Sequence, residues 1–366
     1  MNLSPSLHKA YTSDRLMAGE AQRLAEFIAW GPVIFQASRV MLKLGVFQAI
    51  ADAPEGLTVA EVAERTHITP YAATVLLEAS LSAGTVIVDD TVTRFSLSKA
   101  GWFLLNDPRT RVNLDFVHDV NYQGMFRLDE AIEQGRPAGL GHFGAWDTLY
   151  EGLSQLPEPA RGSWLAFDHF YSDGAFDAAL DVVFSHEVGT LLDVGGNTGR
   201  WATRCVGRSD RVEVTVLDLP QQIGMMCRAT ADVPSRDRIH GHGIDMLDTS
   251  ARFPAGPWDA IWMSQFLDCF SEEQIVSVLS RAAAVMTPST RLYIMETFWD
   301  RQRYETATLC LTMTSLYFTA MANGNSRMYH SEVMARLVGE AGLVVETIHD
   351  NLGQGHSIMV CRLGNT

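Results

Sequence analysis

The sequence predicts an α/β protein, a parallel sheet with helical crossovers, preceded by a mainly helical domain that ends in a winged-helix pattern. Three observations carry this. Apolar strand-like runs at 188–194, 212–217, 258–263 and 292–296 alternate with helical patterns such as Glu272–Met286. Residues 20–105 read as helix, helix and two short β pieces. A glycine-rich turn, 195–199, separates the first of those strands from a helix that begins near Arg200.

The elements follow in order. Leu42, Leu44, Val46, Phe47 and Ile50 recur at near-helical spacing, with Gly45 as a turn between helices. Thr58 with Glu61 three residues on forms a capping box, and Thr69-Pro70 opens the next helix as N-cap and first helical residue. Gly84 ends that helix, and the β pieces 85–88 and 93–97 are joined through Asp89-Asp90. Residues 106–185 are rich in aromatic side chains and connect the two larger parts. The tail, 343–348 and 357–363 around Gly353-Gln-Gly355, reads as a terminal β pair. The expected division is 1–105 winged-helix-like, 106–185 connector lining a pocket, and 186–366 sheet domain.

Composition narrows the function. The chain has 366 residues, 47% hydrophobic and 19% charged, and a net charge of −15. Such an excess of acid disfavours nonspecific binding to a polyanion. The presumed recognition helix, 70–83, holds no Lys or Arg, so a packing or dimerisation role is expected rather than DNA binding. Apolar runs stop short of the ~20 residues that a membrane span needs, and 1–20 lacks a secretory apolar region. The five cysteines show no CxxC pairing, which points to reduced thiols and a cytoplasmic protein.

The chemistry concentrates in Leu191-Leu-Asp193-Val-Gly195-Gly196-Asn197-Thr198-Gly199. Glycines at a strand-to-helix turn let the backbone bend sharply and let a ligand come close. Asp218 ends the second strand 19 residues after Gly199, suited to ribose hydroxyls. A P-loop would need Gly-Lys-Ser/Thr, which is absent, and a dinucleotide site favours a different glycine spacing. An acid two residues before the first glycine suits a cationic, phosphate-free nucleoside such as S-adenosylmethionine (SAM). Asp245 is a third acid near a strand end.

On these residues, the chain resembles the SAM-dependent small-molecule O-methyltransferases of the caffeate and acetylserotonin type and their bacterial natural-product relatives. The likeness spans nearly the whole chain: Leu44-Gly-Val-Phe, Leu57-Thr-Val-Ala-Glu-Val-Ala, the DVGGNTG loop, the VLDLP strand end and Gly243-Ile-Asp245-Met246. It implies a class I, Rossmann-like methyltransferase domain with an N-terminal winged-helix dimerisation domain, SAM as donor and S-adenosylhomocysteine (SAH) as product. By the same likeness, Asp193, Gly195, Gly196, Asn197 and Gly199 hold the methionine part, Asp218 binds the ribose with Leu219 also at the cofactor, and Asp245 and Met246 flank the adenine. Ser264 and Gln265 border the cofactor, and a homodimer is implied. Where the family carries Leu-His-Asp-Trp, with the histidine as base, this chain has Leu267-Asp268-Cys269-Phe270. Asp268 stands at the base position, and Glu296 matches the family's flanking acid.

Asp268 has two readings, a base or substrate contact and a cap or loop anchor beside Ser271. A free Asp, with a pKa of about 3.9, matches a phenol poorly unless burial and Glu296 raise it. The acceptor wall is expected from His118, Tyr122, Trp164, Phe167, His169, Tyr171, Met313, Tyr317 and Met321, each of which also reads as structural. The two histidines are spare candidates for the base. His240-Gly-His242 with Asp245 lacks a further ligand, so no metal is expected. The expected reaction is methylation of a hydroxyl on a small aromatic or polyketide-like acceptor. Carbon or nitrogen methylation and a non-catalytic SAM- or metabolite-binding regulator are the alternatives, and a SAM-scaffold enzyme with other chemistry, such as decarboxylation, stays open.

Overall fold

A computed structural model describes residue 3 and residues 5–364. The chain divides into two compact units. One is Ser13–Val120; the other runs from Asn121 onward and includes the short N-terminal helix Pro5–Tyr11.

In the first unit, Thr58 accepts a hydrogen bond from the Glu61 amide, and the Glu61 carboxylate accepts one from the Thr58 amide in return. Thr69 caps Pro70–Ala83, and Gly84 ends it with φ +78°. That helix and its neighbours bury Met41, Phe47, Ile50, Leu57, Val62 and Leu77. The hairpin is β1 (Val86–Val88) paired antiparallel with β2 (Phe95–Leu97). This is the helix, helix, wing order expected from the sequence.

The second unit carries a seven-stranded sheet. Its strands are β3 (Thr190–Val194), β4 (Glu213–Asp218), β5 (Ile239–Gly243), β6 (Ala260–Ser264), β7 (Arg291–Glu296), β8 (Leu343–Leu352) and β9 (His356–Leu363), in the spatial order β5-β4-β3-β6-β7-β9-β8. β3 to β7 are parallel, and β9 and β8 close the sheet antiparallel. Alternate residues feed opposite faces: Leu192 and Val194 join one core with Ile275, Leu279 and Met334, and Leu191 joins the other with Trp201, Cys205 and Met226. Helices on both faces are what a parallel sheet requires. Trp201 stacks on Trp262 at a centroid distance of 4.0 Å, pinning Arg200–Arg208 to the sheet.

Strand β5 was not among the strands expected from the sequence. Its Ile-His-Gly-His-Gly run lacks β-branched residues after Ile239, and four of its five residues are exposed at the sheet edge. Gly241 is needed there because a Cβ would meet Ile223 of the overlying helix Pro220–Ala229 at 2.6 Å. Among the described residues, no helix is long and apolar enough to cross a membrane.

Chain order reverses between β3 and β6, so the loops leaving these two strands open side by side at the carboxyl edge of the sheet. The helix after the β6 loop, Glu272–Ala283, is capped by Ser271, whose hydroxyl accepts from the Gln274 amide while Gln274 Oε1 accepts from the Ser271 amide. Asp268 therefore does not cap this helix. Ser271→Ala is expected to lower the free energy of unfolding by about 1 kcal/mol, and Asp268→Asn by no comparable amount, as read by chemical denaturation. A loss at Asp268 equal to that at Ser271 would return the acid to a capping role.

Candidate active site

The turn after β3 is built on backbone conformations that side chains resist. Gly195 and Gly199 have φ of +76° and +78°, and Asn197 has φ +49°. A Cβ at Gly195 would fall 2.3 Å from the Phe266 ring, and one at Gly199 would fall 2.8 Å from Met226. The Gly195 amide donates to the Leu217 carbonyl at 2.8 Å, which ties the turn to β4. Asp218, at the end of β4, receives the amides of Asn197 (2.9 Å) and Leu219 (2.7 Å). Burial raises its pKa, and those two amide bonds oppose the rise.

Asp193 lies under this turn. It is buried, its Oδ2 has no hydrogen-bond partner, and a Cβ at Gly196 would stand 2.5 Å from that oxygen. Burial first, and then the Asp218 charge, push its pKa up to about 8. An unpaired buried carboxylate beside a glycine turn has the chemistry of a counter-charge for a ligand ammonium. Asp245 is exposed, with Oδ1 accepting from the Leu247 amide at 2.8 Å. Its loop is fixed by Ile244, whose amide donates to the Asp218 carbonyl at 2.8 Å, and by Arg281, which donates to the Met246 carbonyl at 2.7 Å.

The loop after β6 forms the other half. Gln265 has φ +44°, its amide bonds the Met295 carbonyl at 2.9 Å, and its buried Oε1 lacks a partner. Glu296, at the end of β7, accepts the amides of Phe266 (3.1 Å) and Leu267 (2.9 Å) through Oε1, while its Oε2 is buried and unpartnered. Asp268 is buried beside it, with the Cys269 thiol donating to Oδ1 at 3.5 Å. Burial pushes both carboxyls up; Asp168 adds to the rise at Asp268, and Asp268 adds to the rise at Glu296. Ser264, the last residue of β6, is half-buried.

Several groups around Asp268 were not among the expected site residues. Tyr150 hydrogen-bonds the Cys269 thiol, and both groups are held well above their ordinary pKa, chiefly by burial. Asn323 Nδ2 donates to the Cys269 carbonyl at 2.6 Å, and the Tyr329 hydroxyl donates to the Phe270 carbonyl at 2.6 Å, so the loop is held from both sides. Asp168 lies one helical turn beyond Trp164 on Ala160–Ser172, a spacing that places both on one face.

The expected acceptor wall is only partly assembled. Trp164 Nε1 donates to the buried Tyr317 hydroxyl at 2.8 Å, and Phe167 packs on Tyr171 at 4.9 Å. Tyr122 and His169 are half-buried; burial lowers the His169 pKa, and Arg200 lowers it further. Two expectations need correction. Met321 is fully buried, packed where a Cβ at Gly139 would stand 2.8 Å from its sulfur, so it fills the core. Met313 is 52% exposed beside Leu309, so the Met and aromatic stripe does not converge on one wall. His118 belongs to the other compact unit, where it faces Gln36 Nε2 at 3.4 Å and stacks on Phe35. His240 meets Glu213 at 3.2 Å, exposed at the sheet edge.

Comparison with known proteins decides what this arrangement belongs to. Residues 22–95 match the Dimerisation2-like domain, and residues 175–344 match the O-methyltransferase domain. The chain belongs to the SAM-dependent O-methyltransferase family. Norreticuline-7-O-methyltransferase of Papaver somniferum is 26% identical over 123 residues, 33% of this chain and 31% of that protein. The O-methyltransferase SfmM3 of Streptomyces lavendulae is 24% identical over 264 residues, 63% of this chain and 77% of that protein. The apo structure of the SAM-dependent methyltransferase SibL superposes with a TM-score of 0.70 at 22% identity, covering 93% of this chain and 98% of that one. The family's methyl donor is SAM, and the sheet with its glycine turn is the class I methyltransferase fold.

The Asp193 carboxyl gives a pH test that needs no ligand. With a pKa near 8 folded and near 3.8 unfolded, it takes up a proton on folding between those values. Its contribution to stability is thus largest in mild acid and falls as pH rises towards 8, by up to about 1.4 kcal/mol per pH unit. Asp193→Asn is expected to melt above the wild type at pH 7.5 and to converge with it near pH 4. Equal melting at pH 7.5 would mean that the carboxylate is solvated or paired.

Proposed function

We propose that this methyltransferase moves the SAM methyl group to the hydroxyl of a small aromatic acceptor, with Asp268 taking the hydroxyl proton. What carries the reading is one contact: the ring of Phe266, two residues before Asp268, fills the space over Gly195. The donor turn and the candidate base therefore share one wall. SAM supplies, when bound, an electrophilic methyl on its sulfonium. Asp193 receives the ammonium, the glycine turn lies along the methionine, Asp218 with Leu219 takes the ribose hydroxyls, and Asp245 and Met246 border the adenine. Ser264 and Gln265 line the cofactor side, with the unpaired Gln265 Oε1 as an acceptor.

On the acceptor side, burial moves the Asp268 carboxyl towards the phenol range, which improves its match as a base. Glu296 keeps the carboxylate pair short of two full charges, because adjoining buried acids resist double ionisation. Trp164, Tyr317, Phe167, Tyr171, Tyr122 and His169 offer the flat apolar surface and edge contacts for a ring.

The same reading includes a cytoplasmic homodimer. The helix Ala18–Ala29, which overlaps the start of the Dimerisation2-like match, buries none of its residues, and Leu24, Phe27 and Ile28 stand exposed on it. An apolar helix face of this kind is what a second copy would cover.

Titration calorimetry near pH 7 should show SAM and SAH binding with release of up to one proton, read from buffers of differing ionisation enthalpy, as Asp193 ionises against the ammonium. Gly195→Val and Asp218→Ala should abolish or weaken that binding at least tenfold. With labelled SAM and a panel of phenols, Asp268→Asn should lose about 10²-fold or more in turnover while SAH binding persists. Turnover independent of Asp268 would retire it as the base, and no binding of SAM or SAH would sink the donor assignment. Phe27→Glu with Ile28→Glu should shift a dimer to monomer in sedimentation; a wild-type monomer would remove the homodimer.

A further inference from the structure

Asp268 shares its short turn with a cysteine whose every polar group is engaged. The turn, Leu267–Cys269, lies between the end of β6 and the capped helix Glu272–Ala283. The Cys269 amide donates to the Phe266 carbonyl at 3.2 Å, and the Cys269 carbonyl accepts from Asn323 Nδ2 at 2.6 Å. Asn323 is held in turn, because its Oδ1 accepts from the Asn325 and Ser326 amides, each at 3.2 Å, and from the Ser326 hydroxyl at 2.9 Å. The following residue is fixed as well. The Phe270 amide donates to the Leu267 carbonyl at 3.1 Å, and the Phe270 carbonyl accepts from the Tyr329 hydroxyl at 2.6 Å. With the backbone clamped, the one heavy-atom torsion left to Cys269 carries the sulfur, and it sets the thiol 3.5 Å from Asp268 Oδ1.

A thiol that only filled space would not need this neighbour. Side chains one position apart point different ways on a regular helix or strand and do not meet. Here they meet within one tight turn. The sulfur also bonds the Tyr150 hydroxyl, so it stands between a phenol and a carboxyl. Burial keeps the thiol protonated, and its hydrogen is therefore available to Asp268. A donor on a carboxylate favours the charged form, which opposes the lift that burial gives Asp268.

We propose that Cys269 is a positioning residue for methyl transfer: its thiol holds Oδ1 of Asp268, so that Oδ2 is the oxygen that takes the acceptor proton. An aspartate carboxyl turns easily about its last torsion, so either oxygen, or neither, can face an acceptor. A thiol on one oxygen sets the plane of the group, and because S–H is a weak donor it costs the carboxylate little basicity. The step balances. The acceptor O–H pair forms the bond to the methyl carbon, the methyl–sulfur pair stays on the sulfur of SAH, and Asp268 Oδ2 gains the proton. Cys269 keeps its own proton throughout. This inference rests on the reading of Asp268 as the base, and it goes beyond that reading by naming which oxygen acts and what aims it.

The first measurement needs no acceptor. The Cys269 S–H stretching band is isolated as the infrared difference between the full chain and Cys269→Ala. It should lie below the position of an unbonded thiol. It should move up in Asp268→Asn, whose amide oxygen is a weaker acceptor, and further in Asp268→Ala, each differenced against its own Cys269→Ala partner, with thermal melting showing that the variants are folded. A band that ignores both changes at Asp268 would overturn the proposal. The second measurement is turnover of labelled SAM with catechol, 2-naphthol and 4-propylphenol. On any of these that the wild type methylates, Cys269→Ala should lose about tenfold in kcat, with the acceptor KM changed less than threefold. The acid limb of its pH profile should move to higher pH, because the donor that favours ionised Asp268 is gone. Glu296, Asp168, Tyr150, Tyr317 and Tyr329, whose charges also reach Asp268, stay in place in these variants. Cys269→Ser keeps a donor and should return kcat to within threefold of the wild type, with the acid limb restored. An unmoved acid limb in Cys269→Ala, or a serine variant no better than the alanine one, would overturn the positioning role. A wild type that methylates none of the three phenols would count against the acceptor reading, and the infrared band then decides this proposal by itself.

Discussion

The site depends on the Glu296 carboxylate receiving the amides of Phe266 and Leu267. Those amides leave β6 just where a loop must turn away from the sheet, and no sheet neighbour is available to pair them. A carboxylate at the end of β7 satisfies both, and so fixes the exit direction of the chain. Phe266 is then carried over Gly195, and the next turn delivers Asp268 beside Glu296. Every other feature of the acceptor side follows from that placement. Asn323 and Tyr329 hold the Cys269 and Phe270 carbonyls against the same loop, and Ser271 opens the helix beyond it. Glu296 thus has a structural duty through Oε1 and a chemical opportunity through Oε2.

The same constraint explains why the glycines of the first turn are needed. Gly195 is excluded from carrying a side chain both by its positive φ and by the Phe266 ring that occupies the space. Gly196 is kept small by Asp193 Oδ2 and by Val216, which a Cβ there would meet at 2.5 Å and 2.8 Å. Asp218 differs because two amides already stabilise its ionised form. Asp193 keeps an unpartnered oxygen and Asp218 accepts two amides, although the two acids sit on neighbouring parallel strands.

Much of this was legible in the sequence because short-range rules governed it. The capping box at Thr58, the Thr69-Pro70 start, the Gly84 stop and the DVGGNTG turn each follow from local backbone chemistry, and each is found as expected. Three of the four strands expected from 188 to 296 are buried on both faces, the mark of a parallel sheet under two helical layers. Strand β5 was hidden because its identity comes from hydrogen bonding to β4 and not from its own residues. Met321 and Met313 were misread for a related reason. Periodicity reports which residues share a helix face but not what covers that face, and the π-helical turn Phe318–Ala322 shifts the phase between them. Tyr150, Asp168 and Asn323 reach the Asp268 loop from distant parts of the chain, and no local spacing encodes such meetings.

If Asp268 is the base, as proposed, its surroundings explain how a carboxyl could serve there. A carboxyl in water is too weak a base for a phenol, so replacing an imidazole by a carboxylate would ordinarily lose proton affinity. Here the loss is countered by environment: burial and the charge of Asp168 both raise the Asp268 carboxyl, and the nearby Glu296 resists a second ionisation. The price of that recovery is an acidic pocket. A histidine base is neutral before it takes a proton, whereas a carboxylate base brings a negative charge into a buried space. The substitution therefore changes the electrostatic field that the acceptor meets as well as the identity of the base. A neutral ring gains little from that field and an anionic one is repelled.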